Sequence, residues 1–461
     1  MKSHASNHTP PSGDPAIQAL VMRKVARRLI PFLALAYFLN YLDRTNIGFA
    51  KLTMSEDLGL TSTMYGLASG LFFIGYVFFE VPSNLAMHRF GARRWIARIM
   101  VSWGLVAALM AFVPNATWLY IARIALGIAE AGFFPGVILY LTWWFPRAMR
   151  VRLVGLFMLA LPISQALGAP VSGAIVQYGH GFLGLEGWQV LFLAEGIPTM
   201  LLGVAAWFYL TDRPKQAAWL THSERTWLDT TMTAEQTDDG DHGSVRKSLR
   251  DRRVWALGSV YFSLSFGLFA LSFFLPTIVA GFAETFDTKF SIFETGLIVA
   301  VPYTIGAIAM LLWSRHSDRS RERVWHVAGA MILAGVTIPV ALYMNSPLMA
   351  MAVISITAIG IFGAYPVFWY LPSSFLTGKG AAAGIALVNT IGACAGLMAP
   401  YLMGWLLDLT GSSRTGLTLV GVVMLIGAAI LLSLRRQLQA AERPHDNPQT
   451  PNSHNNIPAT H

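Results

Sequence analysis

The sequence predicts an all-α membrane protein of twelve transmembrane helices in two six-helix halves, with both termini in the cytoplasm. Three observations carry that prediction. The 461 residues are 54% hydrophobic and only 12% charged, roughly half the charged share of a soluble domain. The apolar stretches run to about 20 residues or more, long enough to span the hydrocarbon as helices and too long for barrel strands. Lys and Arg also fall almost entirely on one side of alternating spans.

In order along the chain, the spans are read at 27–50, 63–87, 95–113, 117–144, 152–177 and 187–210, then 254–281, 291–314, 324–344, 347–376, 381–408 and 414–434. Each must be helical, because lipid offers no partner to a free amide. With the N-terminus inside, the cytoplasmic segments hold 28 of the 33 Lys and Arg, and the external loops hold Lys51, Lys289 and Arg414. That asymmetry sets the orientation and supports the span count. Residues 1–26 form a polar N-tail without the apolar core of a cleavable signal, so the first span serves as the targeting signal. Residues 211–253 are a polar cytoplasmic linker between the halves 27–210 and 254–434. The linker is read as carrying short surface helices and the solvated acidic run Asp238, Asp239 and Asp241. The tail 435–461, rich in Pro, Asn and Thr, is read as disordered and cytoplasmic.

The same composition excludes several classes. The single cysteine, Cys394, leaves no intrachain disulfide and no cysteine metal cluster. The net charge of +9 belongs to the loops of one membrane side, so it is not a nucleic-acid surface. No Gly-x4-Gly-Lys-Ser/Thr loop is present to cradle ATP phosphates. His88 and His316 lie in loops without metal-ligand spacing. The chain is therefore read as neither an enzyme nor a cofactor protein, and as a monomer in the bilayer.

Ionisable residues inside spans are costly and tend to face cavities. Asp43 and Arg44 lie in the first span, Arg123 and Glu130 in the fourth. Both arginines fall in the outer half, and Glu130 lies two turns from Arg123 on the same face, about 10 Å deeper. A planar guanidinium can bond both oxygens of a carboxylate, so a pair of them suits an anionic substrate. The competing reading is static glue, with Asp43 paired to Arg123 or Arg44 to Glu130. Asn40 and Tyr41 share Arg44's face. Tyr76, Gln165, Asn389, Tyr365, Trp369 and Ser373 lie along other spans as further polar or aromatic candidates. Glu80 and Asp408 fall near span ends, where interfacial or gate roles fit better than substrate contact. Glu195, beside Gly196 and Pro198, has no evident partner in the sequence.

Two loops echo one another. The first runs from Asn84 through His88, Arg89, Gly91, Arg93 and Arg94, the second from Ser314 through Asp318, Arg319 and Arg323. Both resemble the major facilitator superfamily loop signature Gly-x3-Asp-Arg-x-Gly-x-Arg-Arg, although Asn84 and His88 replace the glycine and aspartate of the first copy. The resemblance implies a cytoplasmic gate built from Arg89, Arg93, Asp318 and Arg319; the plainer alternative is that these are positive-inside anchors.

Further stretches are similar to the anion:cation symporter family of that superfamily. They are Asn40 to Gly48, Glu80-Val81-Pro82-Ser83-Asn84, Gly127 to Gly136, and Ala381 to Gly392. Nearest in kind are bacterial permeases for tartrate, phthalate and hydroxyphenylacetate. The resemblance spans about Arg23 to Arg436. It implies that Asp43 and Glu130 carry coupling protons, that Arg44 and Arg123 handle a small organic anion, and that Tyr41, Tyr76 and Asn389 line its site, in the inner membrane. Burial in apolar surroundings favours the neutral form of a carboxyl group, which makes such protonation feasible. Drug/proton efflux is the competing transporter reading. It is weakened because Gly168 to Gly173 matches the antiporter glycine–proline signature poorly.

Overall fold

The computed structural model describes residues 15–237, 245–376 and 378–442. Every regular element among them is a helix. Ten helices are long and apolar enough to cross a membrane. They are α1 (Gln18–Asp57), α2 (Ser62–Phe90), α3 (Ala92–Phe112), α4 (Ala116–Trp144), α6 (Gly187–Tyr209), α7 (Arg252–Ala280), α8 (Ile292–Ser320), α10 (Pro347–Ser373), α11 (Gly378–Thr410) and α12 (Ser413–Ser433). Two more apolar segments complete twelve. The fifth, α5, comes in two pieces (Arg147–Met158 and Ala160–Tyr178), and α9 (Val324–Val340) is short. The first helix begins earlier than the hydropathy predicts, at Pro15, and residues Arg435–Glu442 of the expected disordered tail are helical. The acidic run Asp238–Asp241 and the tail beyond 442 lie outside the described residues.

Prolines explain three of the interruptions in the spans. A proline ring clashes with the carbonyl four residues earlier and removes an amide donor. The interruptions at Ala131, Met158–Leu159 and Phe368–Trp369 each precede a proline by about four residues: Pro135, Pro162 and Pro372. At α4 the break is sharpest, because Gly132 adopts φ +84°, a left-handed conformation natural to glycine. Glu130 is therefore the last residue of the first half of α4, next to the break.

The two sets of helices meet at the end carrying the α1–α2 loop. There α2 packs on α11 and α5 on α8. A Cβ on Gly70 would stand 2.6 Å from the Leu397 carbonyl oxygen, so glycine is what lets α2 and α11 approach. Asp408 of α11 accepts from the Ser62 and Thr63 amides at 3.0 and 2.7 Å, which caps the start of α2. Tyr65 donates to the Phe273 carbonyl at 2.7 Å, and the Phe293 amide donates to Gln177 at 2.9 Å. Lys51 is buried between the rings of Tyr65 and Phe274, at 4.6 and 4.9 Å.

At the opposite end, several contacts hold the first set of helices to itself and to the linker. The Arg93 amide donates to Asp212 at 2.8 Å, Arg28 stacks on Tyr209 and Trp219, and Lys24 pairs with Glu224 of the short helix His222–Thr237 at 2.8 Å. That bond holds the Glu224 carboxyl below the ordinary glutamate range.

Candidate functional site: a central cavity beside a buried Arg44–Glu130 pair

Between the two sets of helices lies a cavity of about 70 Å³. One wall comes from α1, α2, α4 and α5 and presents Tyr37, Tyr41, Arg44, Phe73, Tyr76 and Phe134. The facing wall comes from α7, α10 and α11 and presents Tyr261, Ser265, Phe269, Tyr365, Trp369 and Asn389. Both walls contain residues of the spans with proline breaks, where a non-uniform backbone is tolerated because it lines a cavity.

Arg44 is the cationic group of the cavity. Its guanidinium forms an ion pair with Oε1 of Glu130, which is itself fully buried. Aromatic faces surround it: Phe72, Tyr41 and Tyr76 stand 4.9, 5.0 and 5.3 Å from its Cζ. Each such contact stabilises a cation by about 0.5–1 kcal/mol when exposed and about 2 kcal/mol or more when desolvated. Arg44 Nε and Glu130 Oε2 have no hydrogen-bond partner among the described residues, so the pair has bonding capacity to spare. Of the two ion pairs weighed as static glue, the structure forms Arg44–Glu130. Asp43 makes no ion pair with Arg123 among the described residues.

Neighbouring positions on a helix point about 100° apart, and Asp43 accordingly turns away from the cavity. It accepts from Trp103 Nε1 of α3 at 2.7 Å and from the Thr199 hydroxyl of α6 at 2.9 Å. Arg123 also lies outside the cavity. Its Nε and Nη2 donate to the carbonyls of Ala68 and Ser69 at 3.2 and 3.3 Å, and Phe72 lies between it and Arg44. It is fully buried where α2 and α4 pack, and its Nη1 has no hydrogen-bond partner among the described residues. Gln165 is likewise elsewhere. It donates to Ser272 at 3.0 Å in a second void of about 20 Å³ nearer the α1–α2 end.

Tyr41, Tyr76, Asn389 and Trp369 do line the cavity. Asn389 donates to Glu80 at 3.2 Å, joining α11 to α2 across its floor. Trp369 packs edge-on to Tyr261 at 4.7 Å, and the Tyr261 hydroxyl donates to the Tyr365 hydroxyl at 3.2 Å. Tyr261, Ser265, Phe269, Tyr37 and Phe134 were not singled out by sequence. Tyr261, Ser265 and Phe269 lie in a span without a charge to mark one face, Tyr37 and Phe134 look like ordinary buried aromatics, and only the packing decides which of them face inward.

Among the described residues, the loop residues make no recorded contact across the bundle. Arg89 stacks on Phe90 at 5.6 Å, and Arg93 docks by its amide on Asp212, a residue the sequence reading did not single out. Asp318 pairs with Arg323 at 2.7 Å rather than with Arg319, which lines an open groove with Trp313 and Trp325. Glu195, partnerless in the sequence, accepts from Asn46 and Ser172 at 2.8 Å each. Among the described residues no cluster suited to a metal ion occurs.

An all-helical bundle with a buried ion pair at a central cavity defines a membrane transporter, and comparison places it. Residues 33–400 match the Major Facilitator Superfamily, and the chain belongs to that family. It is a multi-pass protein of the inner membrane. It is 48% identical over 421 residues to an Agrobacterium vitis protein whose name marks it as a candidate tartrate transporter, covering 91% of this chain and 92% of that one. It is 36% identical over 433 residues to a quinolone resistance transporter of Acinetobacter baumannii, covering 94% and 98%. The fold matches a bacterial homologue of the human lysosomal transporter Spinster, crystallised inward-facing and unoccupied. That match has a TM-score of 0.72 at 17% identity and covers 93% and 99% of the two chains.

Proposed function

We propose that this transporter imports a small organic anion together with protons. The observation that carries the reading is that one guanidinium serves both the cavity and Glu130. A substrate carboxylate entering the cavity competes with the Glu130 carboxylate for Arg44. Protonating Glu130 removes its half of the ion pair and frees the guanidinium for the substrate. Proton and anion binding thus reinforce one another, and such a coupling free energy acts equally in both directions. Alternating access then follows if the sets 27–210 and 254–434 rock about the cavity, as superfamily repeats do. With the α1–α2 end outside, as the basic residues predict, the tight packing there marks a state closed to the exterior.

Arg44 takes the anion, with Tyr41, Tyr76, Asn389 and Trp369 shaping its pocket. Glu130 and Asp43 are the proton carriers. Arg123 acts at one remove, as a buried positive charge that holds α4 to α2. The relative named for tartrate supports a carboxylate substrate. The test is uptake of labelled tartrate, phthalate, hydroxyphenylacetate and galactonate into proteoliposomes under an inward proton gradient. One acid accumulates, and a protonophore abolishes it. If none accumulates in folded protein, the reading falls.

A second reading, proton-coupled efflux, draws on the quinolone resistance relative. The aromatic wall of Tyr261, Phe269 and Trp369 could stack a planar drug. Drug susceptibility of cells with and without the protein decides it.

A further inference from the structure

We infer that Glu195 is a further proton-carrying carboxyl, which shares one proton with Asp43 in this state. The inference extends the proton-symport reading above. Glu195 is 3% exposed and Asp43 1%. The two helices bond in a crossed pattern. Asp43 of α1 takes the hydroxyl of Thr199 from α6, and Glu195 of α6 takes the amide of Asn46 from α1. Asn46 is three residues beyond Asp43, and Thr199 four beyond Glu195. The two carboxyl groups therefore stand about one helical turn apart, roughly 5–6 Å.

Every donor they receive is neutral. Asp43 has Trp103 and Thr199, Glu195 has Asn46 and Ser172. Neither carboxylate forms a salt bridge among the described residues. The helices packed around them, α3 and α5, offer Trp103 and Ser172 at this point rather than a charge, and the charge that reaches Asp43 from α4 is the further carboxylate of Glu130, itself paired with Arg44. Two like charges this close, both out of water, are costly, and one shared proton removes the repulsion. A receptor for that proton is already in place. Asn46 Oδ1 is buried and has no donor among the described residues, and it belongs to the same amide that already donates to Glu195. An acid at Glu195 can donate to that oxygen while accepting from its nitrogen.

The pair also borders a void. Asn46 and Ser172 both border the void of about 20 Å³ that holds Gln165 and Tyr303, enough for a single water. A proton arriving from water at the α1–α2 end adds to a carboxylate oxygen of Glu195 or Asp43. It later leaves to water on the other side, so the pair returns to its starting charge each cycle.

The test is infrared titration of the purified protein, which reads protonated carboxyl C=O directly and needs no substrate. At neutral pH the wild type shows a buried-acid band. Glu195→Gln removes it, Asp43→Asn removes it too, and Glu130→Gln leaves it. A band unchanged in both Glu195→Gln and Asp43→Asn overturns the inference. In proteoliposomes, reversal-potential measurements should find one proton fewer per substrate for Glu195→Gln, with substrate counterflow within about two-fold of wild type. An unchanged ratio with an unchanged band sinks this inference alone. Proton-independent uptake by the wild type sinks the symport reading instead, and the infrared result still decides the shared proton.

Discussion

The two walls of the cavity differ in kind. The wall from α1, α2 and α4 carries the charge, with Arg44 ion-paired to Glu130 and ringed by Tyr41, Phe72 and Tyr76. The facing wall from α7, α10 and α11 offers only neutral groups, the hydroxyls of Tyr261, Ser265 and Tyr365, the amide of Asn389 and the indole of Trp369. The difference teaches a division of labour. On the proposed reading, charge recognition and energy coupling belong to the first side, and the shape that selects among acids to the second. Substitutions in the charged wall should abolish coupling, while those in the neutral wall should change which acid fits.

The largest effect belongs to Arg44→Gln. It leaves Glu130 buried without its counter-ion, which costs about 3–5 kcal/mol, and it removes the proposed partner of the anion. Uptake should fall to background and the melting temperature should drop. Normal uptake would remove Arg44 from the mechanism. Next is Glu130→Gln, which should lose gradient-driven accumulation while keeping substrate exchange, as seen by comparing net uptake with counterflow. Trp369→Ala should raise the half-saturation concentration roughly ten-fold, with the maximal rate changed far less, since an aromatic contact adds about 0.5–1.5 kcal/mol. If it instead abolishes transport of every acid, the division between the walls is wrong.

A smaller effect is expected for Asp408→Asn, which weakens the cap on α2 at the α1–α2 end. A loss of about 1 kcal/mol is a roughly five-fold shift between closed and open states. It should speed maleimide labelling of a cysteine placed at Gln165 in a Cys394→Ser background. The smallest is Lys24→Ala, which breaks an exposed pair with Glu224. It should cost no more than about 1 kcal/mol in thermal stability and leave uptake unchanged.

Much of this was legible in the chain itself. Apolar length and the placement of Lys and Arg give the spans, because lipid imposes both rules on the sequence directly. The intramembrane charges were also visible, since nothing apolar hides Arg44 or Glu130. Direction around a helix was not. Asp43 and Arg44 are neighbours in sequence yet face α6 and the cavity respectively, and Arg123 turns to the backbone of α2. Gln165 is placed by its bond to Ser272, a contact between distant segments that no local pattern records. The uncharged wall was hardest of all to read. In spans as uniformly apolar as α7 and α10, a cavity-facing Tyr261 looks like any buried aromatic until the neighbouring helices are set in place.

The coupling of proton to anion through Arg44 and Glu130 is tested most directly by recording external pH while substrate is added to lightly buffered proteoliposomes. The wild type should alkalinise the medium as the acid enters, and Glu130→Gln should not. Substrate entry by the wild type with no change in pH would contradict the account.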